Sequence, residues 1–159
     1  MAFATNPKIV GTPSGELPEI IHDLLEADSM SFATGELIYS NDGAITNCAD
    51  DAVVILGIAQ KAATNVSSGN IEIKVEQILP SYRVRMLIST GGTAGSSSNM
   101  TVGNAYGLDV TSNVWTADYG DTDNDAVVFK SHCYDAAGNK TNYGVFQFLP
   151  AVCQGQTGN

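Results

Sequence analysis

Positive charge is scarce in this chain. Its 159 residues include 7 lysines and arginines against 17 aspartates and glutamates, for a formal net charge of -10. That excludes a nucleic-acid binder as the default reading, because such a protein must supply cations to release phosphate counterions. Charge of either sign is sparse. Charged residues make up 15% of the chain, against about 25% in typical globular proteins. The surface must therefore be built largely from Gly, Ser, Thr and Asn. No apolar run approaches the ~18 residues of a membrane span, so no membrane partner is expected. The stretch Met1–Lys8 lacks a basic region followed by an apolar core, so no signal peptide is expected. Cys48, Cys133 and Cys153 are widely spaced and form no CxxC pair, which argues against a zinc ribbon or a thioredoxin-like site. Three reduced, mostly buried thiols are expected instead. No phosphate-binding loop is present. Gly91-Gly92-Thr93-Ala94-Gly95 has neither the lysine nor the following helix such a loop needs. No fixed-period repeat and no heptad pattern is visible. Asn65, Asn99 and Asn139 begin N-x-S/T triplets, expected as chance matches in a chain rich in these residues.

What is present reads as strands and turns. A 43% hydrophobic content over this length is enough for a real core in one domain or two small lobes. Residues 1–30, with Pro7, Gly11, Pro13 and Gly15, read as an extended N-terminal arm. Within it Ile20, Ile21, Leu24 and Leu25 have helical spacing, and Pro18 and Glu19 suit a first helical turn. The spacing predicts a short helix at 18–27, or else an irregular segment that docks those side chains on a partner. From Ser31 the pattern changes. Phe32–Tyr39 is strand-like, Asn41-Asp42-Gly43 is a hairpin turn, and Val53–Ala59 is a continuous apolar run suited to a strand buried on both faces. Gly57 within that run implies a bulge or a close backbone approach. Ile71, Ile73 and Val75 alternate with Glu72, Lys74 and Glu76. Tyr82, Val84, Met86 and Ile88 take one face of the next strand, which leaves Arg83 and Arg85, the only arginines, on the other. The Gly/Ser-rich segment 91–99 reads as a connector between a β lobe at 31–90 and a second set of strands at 100–159. In that second set, strands are expected at 106–110, 113–116, 126–130 and 144–149. Short strands separated by Gly, Asn and Asp turns predict an all-β protein with little helix, its small domain β-barrel-like or β-tulip-like.

Few constellations carry chemistry. In Asp118–Asp125, the oxygens of Asp118, Asp121, Asp123 and Asp125 could bind a hard cation, but the run fails as an EF-hand. Counting from Asp121, position six is Ala126 and position twelve is His132. A tight loop before the strand at 126–130 explains it equally well. His132 and Cys133 are adjacent, so on a strand they point to opposite faces and cannot pair as nucleophile and base. Trp115 reads as a core anchor. The six tyrosines are scattered and lack the interleaved cations of a single-strand nucleic-acid binder. Arg83 and Arg85 would make a carboxylate clamp for an acidic partner or a neighbouring subunit, or would pair with some of the 17 carboxylates of the chain itself. No catalytic residue and no cofactor is expected.

The string Ser31–Tyr39, the turn Asp42-Gly43 and the run Asp50–Gln60 together resemble the capsid cement, or head decoration, proteins of tailed bacteriophages. The later strings Thr101–Leu108, Val114–Thr116, Asp121–Val128 and Val145–Pro150 resemble small phage structural proteins of the same kind. The likeness spans about 31–150 and lies more in the order of the motifs than in any one of them. It implies a non-enzymatic virion protein, made in the host cytoplasm, that binds the major capsid protein on the outside of the shell. It also implies self-association as a homotrimer. The partner-facing candidates are then Pro7, Pro13, Ile20, Ile21, Leu24 and Leu25 of the arm, with Arg83 and Arg85. Two rival readings are another virion component, such as a tail or head-spike protein, and a calcium- or carbohydrate-binding β-domain using the acidic loop.

Overall fold

Alternating apolar residues and turn-forming pairs fold here into two mixed β-sheets, described for residues 6–154 in a computed structural model. Among those residues there is no α-helix, and 44% strand places the chain in the expected all-β class. In chain order the strands are β1 (Lys8–Gly11), β2 (Ile20–Ile21), β3 (Leu25–Glu26), β4 (Leu37–Asn41), β5 (Ala44–Asn47), β6 (Gly57–Ala59) and β7 (Val75–Gln77), then β8 (Arg83–Thr90), β9 (Thr93–Ala94), β10 (Ala105–Thr111), β11 (Val114–Asp118), β12 (Val127–Tyr134) and β13 (Lys140–Phe148). The expected second-set strands therefore exist, with shifted ends and each longer by one to three residues. Met1–Thr5 of the expected arm, and the signal-peptide reading that rests partly on them, lie outside the described residues, as do 155–159.

The smaller sheet runs β2-β7-β6-β4-β5-β3. Its central hairpin turns at Asp42 (φ 49°) and Gly43 (φ 85°), with Asn41 opposite Ala44. Both central residues take the positive φ that a two-residue hairpin matching strand twist demands. Gly57 is needed for the reason its position implied: a Cβ there would collide with the Glu76 carbonyl oxygen of the neighbouring strand. The larger sheet runs β1-β8-β11-β10-β12-β13, with β9 on β8. β8 also pairs with β13, so this sheet is partially ring-like without being a true barrel. Gly144 of β13 leaves room for Phe129, whose ring edge lies 2.6 Å from where a Cβ would stand.

One core lies between the sheets. Leu37, Ile55, Ile58 and Ile78 meet Val84, Met86, Trp115, Phe129, Phe146 and Phe148 there. A second, smaller cluster of Phe32, Ile38, Ile45, Leu56, Ala59, Ile73 and Val75 fills the other side of the smaller sheet. Leu37 and Ile38 are neighbours yet belong to different clusters, because successive strand side chains point to opposite faces.

Three expectations are corrected. The helix at 18–27 does not form. Ile20–Ile21 pairs with β7, Leu25–Glu26 pairs parallel with β5, and the Ile73 N–H donates to the Leu24 carbonyl at 2.8 Å. Two flanking strands outcompete one short helix, whose nucleation is unfavourable in isolation. The run Val53–Ala59 is a strand only from Gly57, and Val53 and Val54 are 55% and 42% exposed. The segment 91–99 does not separate two lobes. It makes a hairpin turn at Gly91-Gly92, the strand β9 and a 3-10 turn at Ser97–Asn99, all within the larger sheet. The chain changes sheet instead between β1 and β2 and again between β7 and β8.

Candidate functional site

The acidic loop is built as a turn. Asp118 ends β11, and its carboxylate accepts from the Gly120 N–H at 2.8 Å. The Asp121 carboxylate accepts from the backbone N–H groups of Asp123 (2.9 Å) and Asn124 (3.2 Å), closing the bend that leads into β12. Asp123 and Asp125 are exposed. Among the described residues no group of three or more His, Cys, Asp or Glu side chains is placed to hold a metal ion. The structure adds a residue that sequence reasoning passed over. Asp51, from the doublet before the apolar run, hydrogen-bonds Asp121. Partial desolvation pushes the Asp51 carboxyl above its usual range, and that bond together with Asp50, Asp121 and Asp118 pushes it further. Desolvation acts on Asp121 too, but the N–H groups of Asp123 and Asn124, the Asn124 amide and the Asp51 carboxyl outweigh it and hold Asp121 low. Of two carboxyls in contact, the one that lacks amide donors is the one whose pKa rises.

His132 and Cys133 behave as adjacent strand residues should. The His132 ring packs edge-on against Phe129 (centroids 5.0 Å apart) and against Tyr134 (6.1 Å). Burial lowers its pKa and the Lys140 charge adds to this, over an opposing hydrogen bond from the ring to the Ser97 backbone. Cys133 lies instead within the field of Arg85, which only partly offsets the rise that burial imposes on its thiol. Cys48 and Cys153 are buried, with Cys153 pushed up to about 11, and all three cysteines are free. Thiols held this far from ionisation are poor nucleophiles at neutral pH.

Two buried glutamates serve the backbone, as does buried Asp109, whose carboxylate accepts from the Gly92 N–H at 2.9 Å. Glu26 accepts from the Thr64 N–H at 2.7 Å, from the Thr64 hydroxyl and from the Ile71 N–H at 3.2 Å. Burial alone would raise its pKa; these donors and Lys61 reverse the sign and hold it below the usual range. Glu36 accepts from the Ala33 N–H at 2.5 Å. No composition or spacing argument marks these two out from the other acids.

The arm candidates divide. Pro7 is buried, Pro13 exposed and Ile20 half-buried, while Ile21 and Leu24 pack on the smaller core. Leu25 is 51% exposed, and Leu17, which the sequence did not single out, is 92% exposed. Among the described residues β1 pairs with β8 alone, so the edge of the larger sheet on that side is open. Arg83 and Arg85 do share the outer face of β8, with Val84, Met86 and Ile88 buried behind them. Arg85 lies over the Tyr143 ring, 5.1 Å from its centroid. Neither arginine has a carboxylate within 4.0 Å among the described residues, where the pairing is His22 with Glu72 at 3.7 Å. No protein-family model, no curated protein and no solved structure matches this chain.

Proposed function

We propose that this protein is a non-enzymatic component of a tailed-bacteriophage virion that binds the outer surface of the assembled capsid and stabilises it, acting as a homotrimer. The observation that carries the reading is the ordered series of strand and turn motifs between residues 31 and 150, which resembles capsid cement proteins. The geometry of the arm is compatible with it. β1 offers an unpaired strand edge, with Val10 49% exposed, and the following loop presents Leu17 to solvent. An open edge beside exposed apolar residues suits the addition of a strand from a capsid protein. Binding only the assembled lattice would stabilise it by mass action. The test is to mix the purified protein with undecorated, expanded capsids and sediment them. Co-sedimentation at a saturable ratio is expected; failure to bind any capsid form overturns the reading.

A further inference from the structure

More than half of the cations of this chain are gathered on one sheet face. Lys8 stands directly opposite Arg85 across the β1–β8 pairing, and Arg83 projects from the same face two residues away. On its other side Arg85 faces Val145 of β13, and Lys130 occupies the bulge of β12 that faces the same Val145. Four of the 7 lysines and arginines thus share the outer face of β1, β8, β13 and β12. Among the described residues none has a carboxylate within 4.0 Å. Glu76 feels the charge of Lys8, yet lies beyond that distance. Like charges directly opposed in a ladder destabilise it. A solvated sheet face that carries this repulsion, in a chain with 17 carboxylates to draw on, is a surface shaped for an anionic partner.

The converse patch lies on the same molecule. Asp50, Asp118 and Asp121 gather around Asp51 closely enough to raise its carboxyl, with Asp123 and Asp125 exposed in the same loop. Asp118 sits opposite Ser89. Ser89 is about 13 Å along the strand from Arg85 and about 20 Å from Arg83, at ~3.3 Å per residue. Both separations exceed the Debye length of about 8 Å at physiological salt. Within one copy the two patches form no ion pair among the described residues, whereas two copies can set one patch against the other.

We propose that the face formed by Lys8, Arg83, Arg85 and Lys130 docks the Asp118–Asp125 loop, with Asp50 and Asp51, of a second copy of this chain. The contact joins two different surfaces, so it runs head to tail and closes into a ring when the rotation permits. It rests on the oligomeric half of the reading above and names the surfaces that half requires. It is independent of capsid binding.

The test is sedimentation equilibrium of the full chain, at low and high salt, for wild type, Arg83→Glu/Arg85→Glu, Asp123→Lys/Asp125→Lys, and an equimolar mixture of the two reversed variants. Wild type is expected to associate more weakly as salt rises. Each reversal should weaken self-association by about tenfold or more, and the mixture should associate where neither variant does alone. Near-ultraviolet circular dichroism and the milder Arg83→Gln/Arg85→Gln variant separate a lost contact from a lost fold. A wild-type monomer at all concentrations overturns the proposal. So does association indifferent to salt and to both reversals, or a mixture that stays monomeric. A wild-type monomer that binds polyaspartate would assign the face to an acidic protein partner instead. A protein that self-associates this way but ignores capsids would sink the capsid reading alone; a monomer that decorates capsids would do the reverse.

Discussion

In the larger sheet, five strands run from five to nine residues and meet over Trp115, Phe129, Phe146 and Phe148. In the smaller sheet no strand exceeds five residues, two have only two, and the private core is aliphatic apart from Phe32. Long strands satisfy their own backbone groups through the ladder. Short ones leave donors over, and buried N–H groups must find acceptors somewhere. In the smaller sheet two buried glutamates supply them: Glu26 to Thr64 and Ile71, Glu36 to Ala33. Long ladders and aromatic packing set the larger sheet apart, while side-chain acceptors serve both sheets: Asp109 takes the Gly92 N–H at 2.9 Å in the larger, as the two glutamates take their donors in the smaller.

This contrast can be broken from either side. The largest effect is expected from Phe129→Ala, which empties the space against Gly144 and Phe146 and should cost about 3–5 kcal/mol. Urea titration followed by Trp115 fluorescence measures it; a loss under 1 kcal/mol by the same reckoning would deny the aromatic core its role. Glu26→Ala comes next, orphaning the Thr64 and Ile71 donors at a cost of about 3 kcal/mol. The pH dependence adds a sign. Because the folded Glu26 carboxyl is held low, its contribution is present above the ordinary glutamate range and is lost as pH falls through the folded value. Acid melts of Glu26→Gln should therefore be flatter than those of wild type. Gly57→Ala should cost about 2 kcal/mol, since β6 and β7 must separate to admit a methyl group beside the Glu76 carbonyl. Hydrogen exchange would show the loss concentrated in the smaller sheet. The smallest effect has the opposite sign. Asp51 is raised by its acidic neighbours, so the stability it contributes is present at acid pH and lost as pH rises through the folded value. Asp51→Asn should stabilise the protein at neutral pH by about 0.5 kcal/mol, in keeping with its exposure. Calorimetry would register a rise of about 1–2 °C that vanishes on acidification.

Much of the larger sheet was legible, and the reason is local. The strands at 127–134 and 140–148 bury alternate residues along part of their length, so the period of two shows, while those at 105–111 and 114–118, buried over four and three consecutive residues, are marked by the Gly, Asn and Asp turns that bound them. The hairpin at Asp42-Gly43 and the close approach at Gly57 also follow from residue type alone. The segment around Ile20–Leu25 was not legible, because its apolar spacing fits a helical stripe and a pair of short strands alike. The residues that decide between them, Glu72–Val75 and Ala44–Ile45, are far away in the chain. The acidic loop was visible as a turn, but its contact with Asp51 was not, since a doublet seventy residues upstream carries no mark of where it will fold.

The sequence by itself determined the all-β class, the turn positions and the sharing of one strand face by Arg83 and Arg85. Each of these depends on the conformational preference or side-chain direction of nearby residues. Only the tertiary structure decided that Lys8 comes to stand opposite Arg85, that the chain changes sheet after β1 and again after β7, and that Glu26 closes the smaller sheet. Those outcomes depend on which distant strand edges meet, and backbone edges are chemically alike until packing selects among them.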